Sequence, residues 1–168
     1  MEVIIINSQK DVPINENYYK EISEFIFKKL EKEKNSELNI VFIGRDEIRD
    51  LNLKYRNIDS ETDVLSFSYK GDKEIFDFMN KESGGNEEDF KQEYDFFTVG
   101  EILICPLVAK EKLKDYDNNW NLEKLIIFLI IHGMLHIYGY DHENEEDSLK
   151  MEAEQEKLMK MVEREFNI

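Results

Sequence analysis

Residues 122–142 read LEKLIIFLIIHGMLHIYGYDH, and the fold turns on how this stretch is interpreted. After Glu123 and Lys124, the positions Leu125, Ile126, Ile127, Phe128, Leu129, Ile130 and Ile131 are apolar around nearly the whole circumference of a helix, which predicts a helix buried at the centre of the molecule. Asn121 is placed to start it. Tyr138 and Gly139 are placed to end it, because glycine readily takes the left-handed conformation that closes helices. The apolar run is seven residues long. A bilayer span needs about 20, so a protein that works in water is expected, with no membrane partner.

Elements on either side supply layers for this helix to pack against. Val3–Ile6 is a β-branched run that predicts a strand buried on both faces. Between Asn17 and Lys34, after a turn at Pro13, Tyr18, Ile22, Phe25, Ile26, Phe27 and Leu30 recur at helical spacing. Leu38–Ile43 predicts a second strand, and Asp46 is a candidate N-cap for a helix carrying Ile48, Leu51, Leu53 and Tyr55, with Arg56 at its end. Asp63–Tyr69 and Phe97–Cys105 read as strands three and four. The glycine-containing acidic segment between them, residues 70–95, reads as a long loop or hairpin insertion. Pro106 suits the first turn of a helix running to about Lys114. Glu145–Phe166 predicts a last amphipathic helix with Leu149, Met151, Leu158, Met161 and Val162 inward. Together these predict an α+β fold: a small mixed four-stranded sheet packed with about five helices around the central apolar helix, as a single domain over residues 1–168.

Composition limits the function. At 168 residues, with 41% apolar side chains, the chain has enough material for a packed core. The formal charge of −16 disfavours indiscriminate attraction to nucleic acid or anionic lipid. That excess is uneven, since residues 71–95 hold nine acids against three bases and residues 143–168 nine against four. Cys105 is the only cysteine and no secretory signal is evident, so a reducing cytoplasm is the expected location. At the end of an apolar strand, Cys105 reads as a small core residue. Trp120 reads as a hydrophobic contact at the entry of the central helix.

All three histidines fall within Ile131–His142. On a helix, His132 and His136 project from one face a turn apart and can share one ion. A reversal at Gly139 through Tyr140 and Asp141 can bring His142 back as a third nitrogen donor. Three neutral imidazoles suit zinc, one per chain, and leave a fourth position for water. Asp141 is either a partner that orients an imidazole or an ordinary turn aspartate. The histidine spacing is also that of HExxHxxGxxH proteases, but Gly133 stands where their general-base glutamate does. Arg56 offers a guanidinium fork for phosphate oxygens; its bland alternative is a surface ion pair with Asp59 or Asp63.

The string HGMLHIYGYDH, residues 132–142, resembles the HGxLHLxGYDH signature of the YbeY family of endoribonucleases, also known as rRNA maturation factors. Further likeness lies in LNLKYRNIDSETDVLSF, residues 51–67, and VGEILIC, residues 99–105, so the resemblance covers most of residues 38–165. Ser68 stands where the family commonly has proline, and Glu101 where it commonly has aspartate. The resemblance implies that His132, His136 and His142 are zinc ligands and that Arg56 is the catalytically important arginine. It also implies a zinc-dependent endoribonuclease that favours single strands and acts in rRNA maturation and ribosome quality control. RNA would be its substrate, and the ribosome or ribosome-associated proteins, including a GTPase, its partners; no DNA is expected. Thr62, Asp63 and Ser66 fall in the matched block, but capping and turn bonds explain such residues equally well, and they are left outside the site. Two rivals stand beside this: a metal-dependent peptidase or amidohydrolase, and a non-enzymatic ribosome assembly protein with a structural metal.

Overall fold

A computed structural model describes residues 1–31, 35–69, 97–116 and 119–168. Four strands among them, β1 (Glu2–Asn7), β2 (Ser36–Phe42), β3 (Val64–Ser68) and β4 (Phe97–Ile104), form one sheet in the order β1-β2-β4-β3. β1, β2 and β4 run parallel, and β3 is antiparallel to β4, so the sheet is mixed. The described helices are α1 (Glu16–Leu30), α2 (Arg45–Arg56), α3 (Pro106–Lys112), α4 (Leu122–Ile137) and α5 (Glu145–Phe166), with a 3-10 turn at Leu113–Asp115. The α+β expectation therefore holds. The predicted insertion at 70–95 lies outside the described residues.

Alternation along the strands sorts the helices into two layers. Leu38, Ile40 and Phe42 of β2 and Ile102 and Ile104 of β4 are buried on one face, where they meet Ile22, Ile26 and Phe27 of α1 and the apolar body of α4. Val41 and Leu103 point to the other face and join Leu65 and Phe67 of β3 with Ile48 and Leu51 of α2. Helix α4 packs against β3, β4, α1, α3 and α5, which is why a sequence apolar all round is needed there. Asn121 caps its start by accepting from the Lys124 amide at 2.8 Å. Trp120 sits at that entry with its ring 4.9 Å from Tyr116 and 5.4 Å from Phe128, and Cys105 is buried.

Several details differ from the sequence expectation. β1 is an edge strand, buried at Val3 but 47% exposed at Ile6; among the described helices, α1 is the one that packs extensively on it, covering one face. Helix α1 starts one residue before the predicted position, with Asn15 accepting from the Tyr18 amide, and Glu31 leaves the helix; residues 32–34 lie outside the described set. The N-cap of α2 is Gly44 without a side-chain bond, and Asp46 lies inside the first turn, where a negative charge complements the helix dipole. Leu149 is 61% exposed, whereas Met151, Leu158, Met159 and Val162 form the buried stripe of α5. Leu149 and Met151 are two residues apart, about 200° around a helix, so they cannot share its inner face.

Candidate metal centre

The C-terminal half of α4 carries the histidines, and two glycines fix where they stand. Gly133 faces β4: a Cβ there would lie 2.9 Å from Ile102 Cγ2, so the missing side chain lets the helix settle onto the sheet. With position 133 turned to the sheet, His132 and His136 project elsewhere. Gly139, at φ +84°, ends α4 in a paired closure: its amide donates to His136 O at 3.0 Å and the Tyr140 amide donates to Leu135 O at 3.0 Å. That Schellman geometry reverses the chain and returns His142 toward the helix.

The three rings converge as the spacing predicts. Ring centroids are 4.6 Å apart for His132 and His136, 5.1 Å for His136 and His142, and 5.9 Å for His132 and His142. One donor atom from each histidine lies within 4.8 Å of the others, and the Nε2 atoms of His132 and His136 are 3.0 Å apart. Tetrahedral zinc with bonds of about 2.0–2.1 Å places its nitrogen donors roughly 3.3 Å from one another. The first pair sits near that separation, and the His142 donor, on the exposed member, lies within 4.8 Å of both. Burial lowers the pKa of both His132 and His136, so both are neutral at neutral pH with lone pairs free for a metal. The donor set fits a borderline-soft divalent ion.

Neighbouring groups define the walls. The Phe128 ring, one turn back on α4, stacks on His132 with centroids 6.4 Å apart and planes 18° from parallel. Asp141 takes the turn role: its Oδ1 accepts from the His142 amide at 2.7 Å. The side chain that touches a histidine ring nitrogen from another helix is Gln155 of α5, whose Oε1 lies 3.3 Å from His132 Nδ1. The histidine spacing does not point to it; the visible signal in the sequence is a polar residue amid the apolar stripe of α5.

Arg56 stands exposed at the end of α2, the helix whose Ile48 and Leu51 pack on the sheet face opposite α4. Its bland alternative is removed, because Asp59 pairs with Arg49 at 2.7 Å and Asp63 with Lys112 at 3.0 Å. Among the described residues Arg56 makes no ion pair or hydrogen bond, and none of their contacts joins it to the histidines. Strand β3 links the helices that carry them: the Tyr55 ring of α2 packs on Phe67 at 5.0 Å, and Ser68 Oγ donates to Ile137 O of α4 at 3.1 Å.

The sequence pattern of the family described as Endoribonuclease YbeY matches residues 4–163. The chain belongs to the YbeY endoribonuclease family. Membership makes it an enzyme of the hydrolytic nuclease class. An Endoribonuclease YbeY of Clostridium botulinum (strain Eklund 17B / Type B) is 31% identical over 162 residues, covering 94% of this chain and 95% of the relative. One from Acetivibrio thermocellus is 35% identical over 170 residues, covering 99% and 100%. The solution structure of a Thermotoga maritima protein matches with a TM-score of 0.59 at 32% identity, covering 98% of this chain and 91% of that one. Both departures from the YbeY pattern have local explanations. Ser68 supplies a hydroxyl to Ile137 O that proline lacks, and Glu101 lies on the sheet face away from the histidines, accepting from the Tyr69 hydroxyl at 3.4 Å.

Proposed function

We propose that this YbeY-family chain is a zinc-dependent endoribonuclease that cuts single-stranded stretches of rRNA during maturation and quality control. His132, His136 and His142 are the zinc ligands in this proposal, and Arg56 engages the scissile phosphate. The observation that carries it is the convergence of three imidazoles, two of them partly buried, with one donor atom from each within 4.8 Å of the others beside a helix end. Zinc, when bound, supplies Lewis acidity and ionises water near pH 7 instead of about 15.7. The chain's own contribution is positional. Gly133 and Gly139 set the approach and the reversal that bring the rings together, and the Phe128 ring lies alongside His132. Arg56, with no carboxylate partner among the described residues, keeps both guanidinium arms available for phosphate oxygens. A flexible strand reaches such a centre more readily than an A-form duplex. With a charge of −16, the protein is expected to take its RNA with modest affinity or from the ribosome or a ribosome-associated partner, in the cytoplasm.

The peptidase alternative weakens further, since a glutamate at position 133 would meet Ile102 rather than a substrate. A purely structural metal is disfavoured because the described cluster offers three donors where structural zinc takes four. The deciding experiment incubates zinc-loaded protein with single-stranded RNA, duplex RNA and casein, with and without chelator. Chelator-sensitive cutting of single-stranded RNA alone is the expected result; cutting of casein, or RNA cutting that survives metal removal, overturns the proposal.

A further inference from the structure

Gln155 is 6% exposed in the middle of the apolar stripe of α5, among Met151, Leu158, Met159 and Val162. A buried amide is costly unless its hydrogen bonds are met, and both partners of this one lie on α4. Its Oε1 is 3.3 Å from His132 Nδ1, and its Nε2 donates to the Phe128 carbonyl oxygen at 3.4 Å. Each contact fixes the other. A carbonyl oxygen only accepts, so the amide nitrogen must face Phe128 and the amide oxygen must face the imidazole. The amide oxygen also only accepts, so Nδ1 of His132 carries the proton and Nε2 keeps its lone pair. That Nε2 is the atom 3.0 Å from His136 Nε2.

We infer that Gln155 is a positioning residue of the metal centre, selecting the Nδ1–H form of His132 and holding its ring with Nε2 aimed at the ion. The inference rests on the proposed zinc site and adds a residue from a different helix, 13 positions beyond His142. Metal-bound imidazoles generally donate their other N–H to an oxygen that sets ring orientation. Here the oxygen belongs to a neutral amide. A carboxylate at position 155 would still accept from Nδ1 but would have no hydrogen for Phe128 O. Gln155 restrains the edge of the His132 ring through Nδ1, and the near-parallel Phe128 ring lies beside it with centroids 6.4 Å apart.

The test compares zinc dissociation constants of the full chain and its Gln155→Leu and Gln155→Glu variants, by competition with a chromophoric chelator. Gln155→Leu is expected to weaken zinc binding about 10–100-fold, and Gln155→Glu, which retains the acceptor, to recover most of the loss. Unchanged affinity in Gln155→Leu overturns the inference, as does equal loss in both variants, which marks a packing role. Long-range nitrogen–proton NMR of the histidines in the zinc-loaded natural protein needs no variant that folds. A proton on Nδ1 of His132 with Nε2 as the metal donor supports the assignment, and the reverse arrangement overturns it. If the natural protein takes up no zinc, the zinc reading falls and this inference with it, an outcome distinct from normal zinc uptake that is indifferent to Gln155.

Discussion

His132, His136 and His142 have unequal environments. The first two are partly buried on the helix and the third is exposed beyond the turn, so preorganisation resides in the pair and adjustability in His142. Replacing His136 with alanine is expected to bring bound zinc well below one per chain, by elemental analysis; full stoichiometry would refute its ligand role. Arg56→Ala tests a different step. It should leave zinc content intact while lowering single-stranded RNA turnover on the order of 100-fold, the usual cost of losing a donor aimed at developing charge. Turnover equal to the natural protein would remove Arg56 from the reaction. Glu101 gives a prediction in pH. Burial pushes its carboxyl above the ordinary range, with the Tyr69 hydroxyl as the smaller, opposing influence. The folded chain therefore holds that proton more tightly than the unfolded chain does. The stability this group contributes is complete below the unfolded value of about 4.3 and lost as pH rises through the folded value. Glu101→Gln should accordingly raise the melting temperature little near pH 4 and increasingly toward pH 7. A difference that is flat or shrinks over that range would contradict the assignment.

Among the elements, α4 joins core and site in one piece of chain. Its apolar circumference, its asparagine cap and its glycine closure were all legible, because caps and periodicity are local properties. The close seating of Gly133 on Ile102 was not, since the sequence shows a missing side chain without showing what occupies the space. Gly133→Ala is expected to destabilise the protein by about 1–3 kcal/mol, through overpacking against Ile102. Urea unfolding should show a lower midpoint at an unchanged slope, and a variant as stable as the natural protein would mean that the contact yields. Two elements depart from their local pattern for related reasons. Strand β1 has the β-branched composition of a central strand, yet being at an edge depends on which strands pair beside it. Leu149 is apolar, but only the direction in which Met151 and Gln155 face the core excludes it from the buried stripe.

For the whole molecule, the apolar core stands apart from the metal centre: α4 is enclosed by β3, β4, α1, α3 and α5 through side chains that need no ion. Removing zinc should therefore lower stability without unfolding the chain. At free zinc 100 times its dissociation constant, binding adds about 2.7 kcal/mol, equivalent to roughly 5–10 °C in Tm for a protein of this size. Loss of the cooperative transition on chelation would show instead that the ion holds the fold. The α+β class, the central helix and the histidine trio were legible along the chain, because periodicity and turn chemistry act over a few residues. Tertiary structure alone decided the strand order, the partners that take Asp59 and Asp63 away from Arg56, and the meeting of Gln155 with His132. Those depend on segments distant along the chain packing together, and no local pattern carries the identity of a neighbour from another element.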